Sequence, residues 1–287
     1  MSCIVLCNDD GIEAVALHVI AHDLAQMGHS VVILAPFDNK SACGMSITLR
    51  KSLKLNNHPE LERTGVRVFS LDGTPCDCAI AVGDGLLANL GIEDHPRLLI
   101  SGVNLGPNLS IDALHSGTMA AAREAALYGI PAISLSLTSF DEEAMPVALM
   151  AAGQIVEKLL QVVPLEPLNW PRKYTPATNK DPLESFLRGD SYLNVNIPPQ
   201  WNRKFRSTTL GRRRYMGALS FAGEHIEIGA AEVIDEVSDH GDVDAILAGY
   251  ASISLLPSPP SQHPDHPPQE VYDKHLENPE GWPTWLS

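Results

Sequence analysis

Residues 3–35 read CIVLCNDDGIEAVALHVIAHDLAQMGHSVVILA. The stretch begins and ends with apolar runs, at 3–7 and 31–35, and each run has the length of a buried β-strand. Between them, apolar residues recur at helical spacing, and Gly28 is a typical stop signal after a helix. A strand, a helix and a second strand in this order predict a right-handed βαβ unit in a parallel sheet.

The same alternation continues, less regularly, to about residue 163. Strands are predicted at 66–71, 98–103 and 131–137, and helices at 77–90, at 116–128 and around 148–159. We therefore predict an α/β fold with a Rossmann-like, doubly wound and mostly parallel sheet, followed by a smaller, β-rich C-terminal part that serves oligomerisation.

Composition divides the chain into four predicted segments. Residues 1–163 form the catalytic core, and residues 164–190 form a proline-rich insertion or linker. Residues 191–256 supply strands at 192–197 and 252–256 and hairpins within 203–233, which complete the fold and the oligomer. Residues 257–287 form a tail with eight prolines, expected to be extended or disordered, with Trp282 and Trp285 as candidate anchors.

Net charge and the distribution of apolar residues indicate which partners the protein can bind and where it is located. The chain is 44% hydrophobic and 19% charged, which are ordinary globular values, and its formal net charge is −15. An acidic surface disfavours long nucleic acid and anionic membranes, whereas a small phosphorylated substrate is compatible if a bound cation supplies positive charge. No apolar run approaches the ~20 residues that span a bilayer and no secretory signal is visible, so we expect a cytoplasmic protein.

Polar residues follow the predicted strands at the sheet edge where open α/β folds bind ligands. Asp9 and Asp10 come directly after the first strand, and Asn104 follows the strand at 98–103. Two adjacent carboxylates repel each other, and a hard cation such as Mg²⁺ or Mn²⁺, bound by carboxylate and amide oxygens, offsets that repulsion. The alternatives are a helix N-cap for the acids and a turn role for Asn104.

A second group of residues has the chemistry of an anion site. Ser116, Gly117 and Thr118 begin a predicted helix, where free backbone N–H groups and the helix dipole favour a phosphate, although an N-cap explains the same residues. Ser41 follows the second strand and, taken alone, is best explained as a loop serine. Together these types of residue at one sheet edge suit metal-assisted phosphate hydrolysis.

These motifs, in their order and intervals, resemble the survival protein SurE family. The resemblance covers residues 3–140 strongly and 190–256 more loosely. It is carried by Asn8-Asp9-Asp10-Gly11-Ile12, Ala35-Pro36 with Ser41, Ser46-Ile47-Thr48-Leu49, Gly73-Thr74-Pro75 with Asp77-Cys78, Ser101-Gly102-Val103-Asn104 with Gly106 and Asn108, Ser116-Gly117-Thr118 with Ala121-Ala122, and by the later segments Leu193-Asn194-Val195-Asn196-Ile197-Pro198 and Gly249-Tyr250-Ala251-Ser252-Ile253.

The resemblance implies a metal-dependent nucleotidase that hydrolyses nucleoside 5′- and 3′-monophosphates. It implies one Mg²⁺ or Mn²⁺ per subunit, assembly into a homodimer or homotetramer, and exchange of the C-terminal part between subunits. The metal ligands carry over to Asp9, Asp10, Ser41 and Asn104; the substrate and phosphate contacts carry over to Ser41, Asn108, Ser116, Gly117 and Thr118; and the catalytic residues are Asp9, Asp10 and Asn104.

Three features depart from the family. Glu13-Ala14-Val15 stands where a Pro-Gly pair is usual, residues 164–184 form an unusual insertion, and no C-terminal helix is evident after Pro257. The last departure puts the exchange of subunits in doubt.

We hypothesise that Asp9 or Asp10 acts as general base on a water and that residues 116–118 stabilise the phosphoryl oxygens. His115 is adjacent in sequence, but no general acid is evident. A phosphatase with an aspartyl nucleophile is disfavoured because its acids are spaced one residue apart. A dinucleotide oxidoreductase is disfavoured because no Gly-x-Gly-x-x-Gly follows the first strand. A nucleotide or phosphate sensor that binds without turnover remains the alternative.

Overall fold

The computed structural model describes residues 2–173, 179–229 and 231–287. Over these residues the chain forms an α/β fold around one nine-stranded sheet, with two small antiparallel sheets besides. The strands are β1 Ser2–Cys7, β2 Ser30–Pro36, β3 Leu55–Asn57, β4 Val66–Leu71, β5 His95–Leu105, β6 Ala132–Leu137, β7 Ser191–Ile197, β8 Phe205–Thr208, β9 Arg212–Met216, β10 Leu219–Ala222, β11 His225–Ile228, β12 Glu232–Glu236 and β13 Ala251–Pro257. The α-helices are α1 Val15–Gln26, α2 Pro75–Gly83, α3 Leu86–Asn89, α4 Gly117–Leu127, α5 Met145–Val162, α6 Pro182–Leu187, α7 Asp242–Leu247 and α8 Gln269–Leu276.

The strand order of the large sheet is β3-β4-β2-β1-β5-β6-β7-β13-β8. Neighbouring strands are parallel except at β3·β4 and β7·β13, which confirms the predicted mostly parallel sheet. From β1 the chain proceeds outward through β2 and β4 on one side and through β5, β6 and β7 on the other. The order therefore reverses between β1 and β5, and ligands of open α/β sheets bind at such a reversal.

Helices cover both faces of the sheet because successive side chains of a strand point to opposite faces. In β1, Ile4 and Leu6 join a core with α1 and α5, whereas Cys3, Val5 and Cys7 join a second core with α2 and α4. Both faces of the strands are thus buried, which explains why their sequences are nearly continuous apolar runs.

Two sequence expectations were wrong in detail. The helix expected at 77–90 is two helices, α2 and α3, because the chain turns at Gly85, whose φ of +88° favours glycine. The tail after Pro257 is not simply extended or disordered: α8 packs through buried Val271 and His275, and Trp282 and Trp285 contact the core. A C-terminal helix is therefore present, and the sequence-based doubt about it was misplaced.

The C-terminal half otherwise follows the expected elements. The expected strands at 192–197 and 252–256 are β7 and β13, which pair with each other inside the large sheet. The hairpins expected within 203–233 are confirmed, since β10 pairs with β11 and β9 with β12. Residues 174–178 of the predicted insertion lie outside the described residues. In the described parts of the chain, no helix combines the length and apolarity needed to cross a bilayer.

Candidate active site

The loop after β1 presents the two predicted acids at the point where the strand order reverses. Asn8 shapes this loop, because its side chain accepts a hydrogen bond from the Gly11 amide at 3.2 Å and donates one to the Gly11 carbonyl at 3.0 Å. Between these residues, Asp9 is only 3% exposed, whereas Asp10 is partly exposed. An Asx-type loop therefore fixes the backbone of both carboxylates.

The loop after β2 lies against the loop after β1. The Lys40 amide donates a hydrogen bond to the Asp9 carbonyl at 2.6 Å, and this places Ser41 near Asp9. Gly11 makes the close approach possible: with φ of +103°, an added Cβ would lie 3.2 Å from the backbone of Asp38. Ser41 itself is exposed, and its amide bonds to the Asn39 side chain.

The end of β5 supplies the neutral amide of the site. The Asn104 side chain donates through Nδ2 to the Gly106 carbonyl at 2.8 Å, so Oδ1 is the atom left to act as a ligand. The side chain of Asn108 is buried and donates to Ser136 Oγ at 2.7 Å. Asn104, at the end of β5, and Asn108, in the loop that follows, are thus both held in place by hydrogen bonds.

The start of α4 lies against Asp9. Ser116 is the N-cap, and its hydroxyl accepts a hydrogen bond from the Met119 amide. The Thr118 hydroxyl donates to Asp9 Oδ1 at 2.6 Å, and the backbone amides of Gly117 and Thr118 also bond to the Asp9 carboxylate. Thr118 is fully buried, so the structure places its side chain behind Asp9, whereas Ser116 faces a cavity.

That cavity brings most of the predicted residues together. It has a volume of about 270 Å³, and five of the residues that line it are Asp9, Ser41, Asn104, Asn108 and Ser116. Asp10, Gly117 and Thr118 do not line it and lie beside or behind Asp9. The turn at Gly73–Asp77 is also outside the cavity; Thr74 and Asp77 form a capping box at the start of α2.

The electrostatics of the two acids favour a cation. Burial raises the pKa of Asp9, and burial together with the charge of Asp9 raises the pKa of Asp10 to about 6. Over the described residues, no Lys, Arg or His side chain forms an ion pair with either acid. A buried carboxylate next to a partly exposed one, with no cationic side chain paired to either, is an environment that a divalent ion stabilises.

The donor types fit a hard cation. Carboxylates, a hydroxyl and an amide carbonyl are all oxygen ligands, which Mg²⁺ and Mn²⁺ prefer. In the described part of the chain, no three His, Cys, Asp or Glu side chains are grouped so as to hold a metal ion, so any ion here depends on the neutral oxygens as well. The five cysteines are all free.

Asn194 and Asn196 lie in a segment of the family resemblance, but the sequence did not reveal that they hold the loop of Asn108 in place. On β7, Asn194 and Asn196 are fully buried, and both side-chain amides donate to the Asn108 carbonyl at 3.0 Å. Asn196 Oδ1 in turn accepts from the Asn108 amide at 2.9 Å. Two asparagines alternating with apolar residues in a central strand are the signal that could have revealed this network, since buried amides need partners.

The chain is similar in sequence to known proteins over most of its length. The family model described as survival protein SurE matches residues 4–217. A protein named 5′-nucleotidase SurE from Synechococcus sp. (strain JA-3-3Ab) is 34% identical over 262 residues, covering 88% of this chain and 90% of its own. One of the same name from Caldanaerobacter subterraneus subsp. tengcongensis is 35% identical over 270 residues, with coverages of 88% and 90%.

A solved structure of a SurE protein has the same fold as this chain. The crystal structure of the SurE protein from Aquifex aeolicus superimposes with a TM-score of 0.65 at 25% sequence identity, covering 91% of this chain and 95% of that one. The motifs read from the sequence, the reversal of strand order at the site and these similarities lead to one conclusion. This chain belongs to the survival protein SurE family.

Proposed function

We propose that this protein is a divalent-metal-dependent nucleotidase that hydrolyses nucleoside 5′- and 3′-monophosphates to nucleoside and phosphate. The observation that carries the proposal is the pair formed by buried Asp9 and partly exposed Asp10 at the reversal of strand order, with which no Lys, Arg or His side chain of the described residues forms an ion pair. The names of the relatives support the reaction, since each is called a 5′-nucleotidase.

The proposed ligands of one Mg²⁺ or Mn²⁺ per chain are Asp9, Asp10, Ser41 and Asn104. A divalent ion in such a site polarises a phosphate group and lowers the pKa of a nearby water. Thr118 orients Asp9 through the bond at 2.6 Å, so that one carboxylate oxygen is fixed. The bond from Asn104 Nδ2 to Gly106 likewise directs Oδ1 away from the loop.

The two acids and two polar residues of the cavity act on the attacking water and on the phosphoryl oxygens. Asp9 or Asp10 accepts a proton from the attacking water. Ser116, at the N-terminus of α4, and Asn108 supply hydrogen-bond donors to the phosphoryl oxygens. Gly117 and Thr118 act mainly by positioning Asp9, because their amides and the Thr118 hydroxyl bond to its carboxylate. Their direct contact with phosphate, which the sequence predicts, would be a smaller contribution.

The test of this proposal is phosphate release from a panel of nucleoside 5′- and 3′-monophosphates in Mg²⁺ and in Mn²⁺, with calorimetric binding measured in parallel. Turnover supports the nucleotidase and ranks the bases and phosphate positions. Binding of nucleotide without turnover in either metal would instead establish the sensor. Asn104→Asp is a probe of ligand charge: it should retain the metal but bind the anionic substrate more weakly.

A homodimer or homotetramer is part of the proposal, and the hairpin β10–β11 supports it. Every residue of both strands is exposed, and a lone two-stranded hairpin is marginally stable in water. Its cross-strand pairs Leu219↔Ile228 and Phe221↔Ile226 put four apolar side chains on one face. A second copy of this chain would cover that face.

The substitution Phe221→Asp places a charge on this face and tests the interface. It should lower the molar mass of the particle measured by light scattering, and an unchanged molar mass would count against this interface.

The cytoplasmic location stays a prediction of the sequence.

A further inference from the structure

The rim of the cavity carries two aromatic side chains that the proposed reaction does not use. Phe140, in the loop after β6, and Tyr215, on β9, both line the cavity that has Asp9 among its walls. Phe140 is 78% exposed and Tyr215 is 39% exposed, whereas Asp9 is 3% exposed. The cavity thus has an acidic, buried wall and an aromatic, open rim.

One edge of the Phe140 ring packs against the backbone at Gly106. An added Cβ on Gly106, whose φ is +127°, would lie 2.7 Å from Cε1 of the Phe140 ring. Only glycine therefore lets the ring lie this close to the loop that carries Asn104. The rest of the ring surface is open, as the exposure of 78% shows.

Tyr215 is fixed by a chain of polar contacts. Its hydroxyl donates to Asp112 Oδ1 at 2.7 Å, and the other oxygen of Asp112 accepts from the Leu109 amide at 3.2 Å. Arg213 lies 3.9 Å from Asp112 and makes two bonds of 2.8 Å to Asp235. The ring is thus held from its hydroxyl end at the cavity rim, and little conformational entropy is lost when a ligand contacts it.

The position of the two rings matches the part of a nucleotide that lies farthest from the phosphate. A phosphate bound near Asp9, Asn104 and Ser116 directs the sugar and base toward the open side of the cavity. Aromatic side chains stack on nucleobases of any sequence, because every base has a π face. No aromatic ring is required for hydrolysis of the phosphate ester itself.

We propose that Phe140 and Tyr215 form a nucleobase-binding site at the cavity rim, which selects nucleotides over phosphate esters that lack a base. The inference rests on the proposed nucleotidase function and names the residues that give it its substrate class. Phe140 supplies an open ring face for stacking, and Tyr215 bounds the base from the side of β9. Asp112 and Gly106 are positioning residues that act through these two rings.

The experiment compares AMP with ribose 5-phosphate, which has the same sugar and phosphate ester but no base. The dissociation constants of both ligands are measured by calorimetry in Mn²⁺, together with KM and kcat, for wild type and for Phe140→Ala, Phe140→Trp, Tyr215→Ala and Tyr215→Phe. Leu165→Ala is the matched control, because Leu165 is a similarly exposed apolar side chain that does not line the cavity.

We expect Phe140→Ala to weaken AMP binding by about tenfold or more and to leave ribose 5-phosphate unchanged, since stacking on one aromatic ring is worth about that factor. Phe140→Trp should retain the affinity for AMP, and Tyr215→Phe, which keeps its ring, should lose less than Tyr215→Ala. kcat for AMP should change much less than KM. Equal weakening of both ligands, an unchanged affinity for AMP, or no AMP binding by wild type would overturn the base site.

Failure of the nucleotidase proposal has a different signature. Wild type that binds AMP in Mn²⁺ but releases no phosphate would refute the hydrolysis. The ratio of AMP to ribose 5-phosphate affinities in Phe140→Ala would still decide the base site.

Discussion

Gly117 lies at the first turn of α4, directly against Asp9, and its replacement by alanine is a sharp test of the site. An added Cβ would lie 2.9 Å from both Cβ and Oδ2 of Asp9 and 3.0 Å from the sulfur of Cys43. Non-bonded carbon atoms prefer separations of about 3.5–4.0 Å, so the Asp9 side chain would have to retreat by roughly half an ångström or more. Gly117→Ala therefore moves a proposed metal ligand without changing its chemistry.

We expect Gly117→Ala to reduce kcat/KM more than it reduces the free energy of unfolding. A displacement of about 1 Å in a catalytic group can cost about 10²-fold in rate, so we expect kcat/KM for AMP to fall by roughly 10- to 100-fold, or about 1.4–2.7 kcal/mol. Overpacking costs about 1–3 kcal/mol of stability, and the higher helix propensity of alanine offsets up to about 1 kcal/mol of that. The variant should stay folded.

The assay is kcat/KM in Mn²⁺ together with urea unfolding of the same preparations. Gly153→Ala is the matched control, because Gly153 lies within α5 and an added Cβ there meets nothing within 4 Å. The control should keep full activity and unfold at the same or a higher urea concentration. A folded Gly117→Ala protein with wild-type kcat/KM would refute the reasoning, since the position of Asp9 would then not matter.

Two further predictions concern the same acid and the C-terminal helix. Thr118→Val keeps the shape of the side chain but removes its hydrogen bond to Asp9. A hydrogen bond to a charged group is worth about 1.5 kcal/mol, so metal-dependent turnover should fall about tenfold. Unchanged turnover and unchanged Mn²⁺ affinity would contradict this. Burial lowers the pKa of His275 from 6.5 to about 4, so the unfolded chain binds the extra proton between these values. The contribution of His275 to stability should therefore be complete above pH 6.5 and fall toward pH 4 by up to about 1.4 kcal/mol per pH unit. Asp10, whose pKa is raised to about 6, titrates in the same range with the opposite sign, so the measurement is the difference in unfolding free energy between wild type and His275→Gln, from urea titrations across this range. That difference should change with pH by the stated slope, and a constant difference would contradict the prediction.

Much of the fold could be predicted because its signals are local. The continuous apolar runs of β1 and β2, with a helical pattern between them, require a buried parallel unit whatever surrounds it. The break at Gly85 was missed because a single glycine within a helical pattern does not show whether its φ is positive. The helix α8 was missed because it is short, flanked by prolines and stabilised by the burial of Val271 and His275 in the core.

The site was predictable to a different degree for each residue. Asp9 and Asp10 follow β1 and Asn104 lies at the end of β5, and the common edge of a parallel sheet brings such positions together. Ser41 lies in a loop whose path depends on the bond from Lys40 to Asp9, so only the family resemblance identified it. The burial of Thr118 behind Asp9 and the partnership of Asn108 with β7 depend on tertiary packing and could not be predicted from spacing.

Metal-dependent hydrolysis at the Asp9–Asp10 pair can be tested in a single assay. Phosphate release from AMP is followed in Mn²⁺ and in EDTA, for wild type and for Asp9→Asn. We expect wild type to release phosphate only with the metal and to lose this activity in EDTA, and we expect Asp9→Asn to lose most of it. Turnover that persists in EDTA, or in folded Asp9→Asn at the wild-type rate, would contradict it.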